Sequence, residues 1–311
     1  MTSPKTYIKA ASVTQAISCA TGHFGNFRYL AGGTDVMVNK FQGNDEASLL
    51  IDISEISDLK GIVINDSFVR IGALTSLEEL IVHPLVTRYF PVMAEAVKSV
   101  ASPVIRKTAT LGGNLICENR CSFYNQSEWW REAAGRCLKC DGLICLATGG
   151  NKNCFSKFVS DTAVALISLN SSIEVSDNEG VVVTPIESIY TGDGINPHQL
   201  NKTAIINAIL LPLNMDCVTI YKKLRKRETL DFTSLTTAVT SHNDGRIRIV
   251  MGGVHAKPVI VDGSIKEDLP GLVKKAAANA RLVDNDTFSR AYRKEMITVF
   301  LNRSFNELQL I

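Results

Sequence analysis

Six of the eight cysteines in this chain lie within 38 positions, from Cys117 to Cys154. Such clustering indicates either a disulfide framework or a metal site, and the redox compartment decides between them. The chain is long, at 311 residues, and it begins without the charged-then-apolar profile of a signal peptide, so we expect reduced thiols. The cysteines therefore favour a metal ion or an iron–sulfur cluster, with scattered redundant thiols as the alternative.

Composition argues against several functions. With 45% hydrophobic residues, the chain is long enough for about two domains, each with its own core. The 33 basic and 31 acidic residues leave a net charge of +2, so there is no basic field to attract nucleic acid. No apolar run approaches the roughly 20 residues of a membrane helix. We expect a soluble, cytoplasmic protein that binds neither nucleic acid nor membranes.

Hydrophobic periodicity predicts a mixture of helices and strands. Ser12 is placed to cap a helix with apolar residues at i, i+3, i+4 and i+7, and a strand at 27–30 leads into a glycine-rich turn. Thr75 and Glu78 form a predicted capping box, and Pro103 requires the preceding helix to end beside it. The other predicted elements of this region are strands at 49–53, 62–64 and 68–71, a buried helix at 161–169, and a hairpin that turns at 177–180.

A last unit is predicted to begin at 214–216, after Pro212. Its predicted strands lie at 218–221, 232–239 and 247–251. The chain is predicted to end in a helix whose buried face comprises Ala291, Met296, Val299 and Phe300.

Two glycine pairs, Gly32-Gly33 and Gly112-Gly113, are candidates for anion binding. Glycine permits positive φ and lacks a Cβ atom, so backbone N–H groups can converge on a phosphate while the neighbouring threonine or asparagine adds a donor. Two such turns could hold a pyrophosphate between them. Each pair alone also fits a simple bulge or tight turn. The motifs G-x-G-x-x-G, G-x-x-x-x-G-K-S/T and H-E-x-x-H are absent from the sequence.

A series of short motifs resembles the FAD-binding subunits of molybdenum hydroxylases, the family of xanthine dehydrogenase and carbon monoxide dehydrogenase. The motifs occur in the family's order along nearly the whole chain. They are Ala31-Gly32-Gly33-Thr34-Asp35, Ile51-Asp52-Ile53, Ile71-Gly72-Ala73-Leu74-Thr75, Ala101-Ser102-Pro103-Val104-Ile105-Arg106, Thr110-Leu111-Gly112-Gly113-Asn114-Leu115, Ser160-Asp161-Thr162, Tyr221-Lys222-Lys223 through Arg227, Asp231-Phe232 and Met251-Gly252-Gly253-Val254.

The resemblance implies an α+β fold with a vanillyl-alcohol-oxidase/PCMH-type FAD-binding domain at 1–214. That domain would comprise two α/β subdomains, about 1–57 and 58–214, followed by a C-terminal α+β domain at 215–311. The resemblance also implies bound FAD and no catalytic side chain on this subunit. The residues that match the family's flavin positions are Ala31, Gly32, Gly33, Thr34, Asp35, Thr110, Gly112, Gly113, Asn114, Asp161 and Lys222.

The 44 residues between Leu115 and Ser160 depart from the usual family pattern, in which this connection is much shorter. This Cys-rich insertion, about 116–159, resembles that of the aroyl-CoA-reducing branch of the family, in which the inserted loop carries a [4Fe-4S] cluster. The resemblance assigns the cluster's four thiol ligands to Cys121, Cys137, Cys145 and Cys154, and it assigns no role to Cys117 and Cys140. An irregular spacing suits a loop wrapped around a cubane.

Alternatives remain open at several of these positions. Cys117, Cys121, Cys137 and Cys140 could instead form a tetrahedral zinc site. Trp129 and Trp130 are expected to pack against the inserted loop, and the five scattered histidines suggest no ligand set. The basic run 222–227 fits either a solvated strand edge or a role near the flavin or a subunit contact. Asp161 or Ser160 could cap the helix that follows.

The resemblance also implies partners. They are a small subunit with two [2Fe-2S] clusters, a large molybdopterin subunit, and a ferredoxin-like electron donor, assembled as a dimer of heterotrimers. Electrons would pass from the donor through the [4Fe-4S] cluster and FAD toward molybdenum, where an aroyl-CoA loses a phenolic hydroxyl. Two rivals are an oxidising flavin subunit with a structural zinc loop, and a non-catalytic assembly or scaffold protein that has lost flavin.

Overall fold

A computed structural model describes residues 6–213 and 216–310, and its first sheet is parallel. This sheet has the strand order β1-β3-β2. The elements of this region are β1 (Thr6–Lys9), α1 (Val13–Gly22), β2 (Phe27–Leu30), α2 (Val36–Phe41) and β3 (Leu49–Asp52). Ser12 caps α1 by accepting a hydrogen bond from Gln15 N at 3.1 Å, and the apolar face of α1 is buried. The predicted α1, β2 and β3 are confirmed.

An antiparallel sheet with the order β4-β5-β8-β6-β7 forms the middle of the fold. The elements of this region are β4 (Ile62–Ile64), β5 (Phe68–Gly72), α3 (Leu77–Val82), α4 (Pro84–Tyr89), α5 (Pro91–Lys98), α6 (Pro103–Arg106), α7 (Leu111–Leu115), α8 (Glu128–Ala134), α9 (Asp161–Ser168), β6 (Ser172–Asp177), β7 (Gly180–Pro185) and β8 (Ile205–Pro212). Every residue of α9 is buried, as its apolar sequence predicts.

The C-terminal sheet is antiparallel, with the order β12-β11-β10-β9. Its region comprises β9 (Cys217–Leu224), β10 (Leu235–His242), β11 (Arg246–Gly252), β12 (Val259–Ser264), α10 (Leu269–Asn279) and α11 (Arg290–Glu307). Helix α9 packs against β10, β11 and α5, so the middle and C-terminal regions share a core. The boundary predicted at 214–215 falls on residues outside those described.

Three predictions about helices are wrong in detail. Helix α3 is capped by Ser76, which accepts from Glu79 N at 3.2 Å, one residue later than the predicted capping box. Helix α5 ends at Lys98, and Pro103 begins a new helix. Proline fits at that position because the N–H groups of the first helical turn have no acceptor within the helix. The buried face of α11 is offset from the predicted one, and Ala291 is exposed. Its buried residues are Arg293, Ile297, Phe300, Leu301, Ser304 and Phe305.

The third predicted C-terminal strand is confirmed, whereas β10 begins three residues later than predicted, which leaves Phe232 in a loop. Strands β1, β8 and β12 were not predicted. Within 6–213 and 216–310, no helix has both the length and the apolar character needed to cross a bilayer.

Candidate functional site

The first glycine pair lies in the loop that joins β2 to α2. A Cβ atom at Gly32 would lie 1.7 Å from the carbonyl oxygen of Thr108, and Gly33 has a φ of +71°. Both positions therefore require glycine. The backbone N–H groups from Gly32 to Asp35 have no hydrogen-bond acceptor among the described residues. We name residues 31–35 the flavin loop after their predicted role. The loop presents a run of amide donors suited to a phosphate.

The second glycine pair is not a turn after a strand, so that prediction is wrong. It lies in α7, where Thr110 caps the helix and accepts from Gly113 N at 3.2 Å. The N–H groups of Leu111 and Gly112 donate to the carbonyls of Thr75 and Ala73, at 3.0 and 2.8 Å. Because these amides are bonded within the protein, they are not available to a pyrophosphate.

Gly112 has a packing role instead. A Cβ atom there would lie 2.7 Å from the Cβ of Ala73. The contact between Gly32 and Thr108 brings the flavin loop against the segment that leads into α7. The open amide donors thus come from the first glycine pair alone, and joint binding of a pyrophosphate by both pairs stays a prediction.

Asn114 links α7 to the start of α9. Its Oδ1 accepts from Ser160 Oγ at 3.0 Å and from Thr162 Oγ1 at 2.6 Å. Ser160 also caps α9 by accepting from Ala163 N at 3.2 Å, so Asp161 is not the cap. The polar residues of this motif hold the two helix ends together.

Asp161 is buried in an ion pair with the C-terminal sheet. It accepts from Lys223 Nζ at 2.5 Å and from Thr236 Oγ1 at 2.9 Å. Lys222 instead pairs with Glu307 at 2.5 Å. Strand β9 is an edge strand, as one interpretation of the basic run expected, yet Lys223 is buried and not solvated. The flavin role of Lys222 stays a prediction.

Asp35 joins the flavin loop to the Cys-rich insertion. Its carboxylate accepts from the backbone N–H of Glu118 at 3.0 Å and from a guanidinium nitrogen of Arg120. Phe232, from the loop between β9 and β10, lies over the Arg120 guanidinium at 4.6 Å from the ring centroid. No sequence pattern singled out Arg120, and Phe232 was noted only in the Asp231-Phe232 motif and a predicted strand, because the contact joins segments far apart in the chain.

Four thiols of the Cys-rich insertion line one small cavity together with apolar side chains. They are Cys121, Cys137, Cys145 and Cys154. The lining does not include Cys117 or Cys140, although the sulfurs of Cys137 and Cys140 are 3.6 Å apart. Over the described ranges, no three His, Cys, Asp or Glu side chains are placed to hold a single metal ion. The thiols therefore surround a space and do not converge on one point.

Burial raises the pKa of four cysteines in the insertion, three of which line the cavity. It raises the pKa of Cys121 to about 11, and it also raises the pKa of Cys137 and Cys154. The pKa of Cys117 is raised to about 12 by burial and then by the nearby Asp161 and Glu118 carboxylates. Metal binding at the cavity would therefore release protons, because the thiolate is the ligand form.

Lys139 supplies a buried positive charge at the cavity. Its side chain is 4% exposed and its Nζ donates to Glu118 Oε2 at 2.8 Å and to the carbonyl of Gly194 at 2.7 Å. Nζ also lies 5.0 Å from the centroid of the Tyr124 ring. A Cβ atom at Gly194 would lie 2.7 Å from the sulfur of Cys154, so this position outside the insertion requires glycine for the close approach to a cavity thiol.

Helix α8 attaches the insertion to α2. Buried Arg131 donates to the carbonyl of Gln42 at 2.8 Å, just past the end of α2, and to that of Gln126 at 2.6 Å. Trp129 is 76% exposed, so the expectation that it packs against the loop is wrong, whereas Trp130 is partly buried.

Comparison with known proteins identifies the family. Residues 2–214 match the family described as "FAD binding domain in molybdopterin dehydrogenase". The chain belongs to this family. It is accordingly a FAD-binding subunit of the molybdenum hydroxylase group.

Two curated relatives align along most of the chain. The aldehyde oxidoreductase FAD-binding subunit of Escherichia coli is 27% identical over 286 residues, which cover 88% of this chain and 90% of the relative. The glyceraldehyde dehydrogenase medium chain of Sulfolobus acidocaldarius is 21% identical over 97% of both chains. A carbon monoxide dehydrogenase structure from Hydrogenophaga pseudoflava matches with a TM-score of 0.75 and 21% identity, covering 98% of each chain. The last match confirms the predicted fold, a family FAD-binding fold with a C-terminal sheet domain.

Proposed function

We propose that this chain is the FAD- and [4Fe-4S]-carrying electron-transfer subunit of a molybdenum hydroxylase-family complex, most like 4-hydroxybenzoyl-CoA reductase. The single observation that carries the proposal is the cavity lined by Cys121, Cys137, Cys145 and Cys154. Those are the four cysteines that the resemblance assigns to a cluster. When bound, the cluster supplies one-electron transfer and FAD links one- and two-electron chemistry.

The donor set fits a cluster better than it fits zinc. Four thiols around an apolar space suit a cubane, whose ligands approach from several directions. A zinc ion requires four donors converging on one point, at about 2.3 Å each. Cys117, which the zinc alternative needs, is not among the residues that line the cavity. A buried lysine beside the thiols offsets the negative charge that a thiolate-ligated cluster brings.

The flavin loop is the part of the chain that fits FAD. Its amide donors at 32–35 lack acceptors among the described residues, and glycine leaves room for a phosphate. In the proposal, residues 31–35 hold the pyrophosphate. Thr110, Gly112, Gly113 and Asn114 shape the wall behind it.

The proposed complex contains a small subunit with two [2Fe-2S] clusters and a large molybdopterin subunit, assembled as a dimer of heterotrimers. A ferredoxin-like protein would donate electrons at the Cys-rich insertion, and an aroyl-CoA would be dehydroxylated on the large subunit. Such a reaction belongs to the anaerobic degradation of aromatic compounds. This chain would position its redox groups and set their potentials through charge and burial.

A second candidate is an oxidising flavin subunit in which the insertion is structural. The names of several relatives favour it, because xanthine dehydrogenase, glyceraldehyde dehydrogenase and carbon monoxide dehydrogenase denote oxidising enzymes. In that case electrons would leave through FAD to NAD or a quinone, and the insertion would hold zinc.

The assembled complex distinguishes the two candidates. With reduced ferredoxin and an aroyl-CoA, the first candidate predicts dehydroxylation of the thioester. With an aldehyde or a purine and NAD or a quinone, the second predicts oxidation. Oxidative turnover without any ferredoxin-driven reduction would contradict the first proposal. A colourless protein that does not bind added FAD would instead indicate a scaffold.

A further inference from the structure

Arg120 is a buried cation with two unsatisfied donors. The residue is 6% exposed, and its Nε and Nη1 have no hydrogen-bond partner among the described residues. A buried charged donor without an acceptor is costly, and native structures rarely keep one unless a ligand, an ion or an ordered water completes the set.

The surroundings of Arg120 hold its side chain beside the flavin loop. Its third guanidinium nitrogen donates to Asp35, whose own loop carries the unpartnered amides at 32–35. Phe232 covers the guanidinium face at 4.6 Å. The Arg120 backbone is fixed by two hydrogen bonds with Lys157, of 2.9 and 2.8 Å. The unsatisfied donors and the open amides therefore belong to one contact network.

We propose that Arg120 is a FAD-binding residue, donating Nε–H and Nη1–H to oxygen acceptors of the cofactor held at the flavin loop. This deepens the proposed function and rests on FAD binding at residues 31–35. FAD suits the donors because it carries a negatively charged pyrophosphate and further oxygen acceptors. Charge-assisted hydrogen bonds from arginine to phosphate oxygens are among the stronger polar contacts in proteins.

The proposal gives the Cys-rich insertion a second role. Arg120 belongs to that insertion and precedes Cys121 directly. One end of the insertion thus completes the flavin site, while the adjacent cysteine lines the thiol cavity. The alternative is that Arg120 acts only through Asp35, by holding the flavin loop in place.

Fluorescence titration of the deflavinated full chain with FAD separates these roles. Arg120→Met is expected to raise the FAD Kd about tenfold or more, since a hydrogen bond to a charged group is lost. Asp35→Asn keeps the guanidinium and is expected to cost less. Arg136→Met, at an exposed arginine paired with Glu132, serves as the matched control and should leave the Kd unchanged.

The double variant completes the test. Equal losses in Arg120→Met and Asp35→Asn, with no further loss in the double variant, would mean that Arg120 acts only through Asp35 and would overturn the proposal. An unchanged Kd in Arg120→Met would overturn it as well. If Arg120→Met does not fold, Arg120→Lys keeps the charge with fewer donors and should show an intermediate Kd; a wild-type Kd in that variant would contradict the proposal. Failure of the wild-type chain to bind FAD would instead refute the proposed function.

Discussion

Replacing Gly32 with alanine tests the close approach on which the flavin loop depends. The added Cβ would lie 1.7 Å from the Thr108 carbonyl oxygen and 2.5 Å from its carbonyl carbon. Both contacts are far inside van der Waals separation, and the obstructing atoms are backbone, which cannot rotate away as a side chain can. Overpacking typically costs about 1–3 kcal/mol, and we expect the upper end here.

The expected result is displacement of the loop and loss of FAD affinity. If the whole cost of about 3 kcal/mol falls on the bound form, the Kd rises about 100-fold, since each 1.4 kcal/mol is tenfold. Any part of this free-energy cost that destabilises the fold instead lowers the melting temperature. Fluorescence titration with FAD measures the loss of affinity, and a thermal melt of the same preparation measures the loss of stability. Gly22→Ala is the control, because nothing lies within 4 Å of its Cβ position and it ends α1.

Wild-type FAD affinity and an unchanged melting temperature in Gly32→Ala would refute this reasoning. That outcome would mean that Gly32 and Thr108 do not approach closely in the folded protein. A lowered melting temperature with normal FAD affinity would mean that the clash destabilises the fold but does not affect FAD binding.

Three further predictions concern the insertion. Replacing any one of the four cavity cysteines with serine should remove the bound iron, whereas Cys117→Ser and Cys140→Ser should keep it. Iron analysis of each variant measures this, and loss of iron in Cys140→Ser would contradict the ligand assignment. Lys139→Met should lower the midpoint potential of the cluster in an EPR-monitored redox titration, because a buried cation favours the reduced, more negative state. Lys152→Met, at an exposed lysine, is the control and should leave the potential unchanged. Equal potentials in Lys139→Met and the wild-type chain would refute the effect. A complex in which a short Gly-Ser linker replaces residues 121–154 should retain FAD, measured by absorbance, and should lose ferredoxin-driven turnover. Unchanged turnover would show that electrons do not enter through the insertion.

The sequence predicted local elements well where one periodic pattern determined them. Helix α9 is apolar throughout and is buried throughout, and Ser12 and Ser160 cap their helices through an interaction local in the chain. The predicted capping of α3 missed by one residue because Thr75 and Ser76 are both good capping residues. The α11 face was misplaced because Arg293 and Ser304 are buried polar residues that hydrophobic periodicity does not reveal.

The site was predicted from motifs only in part. The four cavity cysteines came from resemblance, and the sequence kept a zinc set at Cys117, Cys121, Cys137 and Cys140 as the alternative. The hydrogen bonds from Gly112 to Ala73 and from Leu111 to Thr75 could not be foreseen, because they form only when α7 packs against the segment that follows β5. For the same reason the sequence did not show which of the two neighbouring lysines, Lys222 or Lys223, would pair with Asp161, and in the structure it is Lys223. Neighbouring residues on a strand point to opposite faces of the sheet, and the sequence does not indicate which face of β9 lies toward α9.

The measurement that tests the central claim most directly is the iron, acid-labile sulfide and FAD content of the chain purified anaerobically. The account predicts one FAD with about four iron and four sulfide per chain, all lost except FAD when Cys145 is replaced by serine. FAD together with zinc, or FAD with no metal at all, would contradict the account and leave an oxidising flavin subunit with a structural insertion.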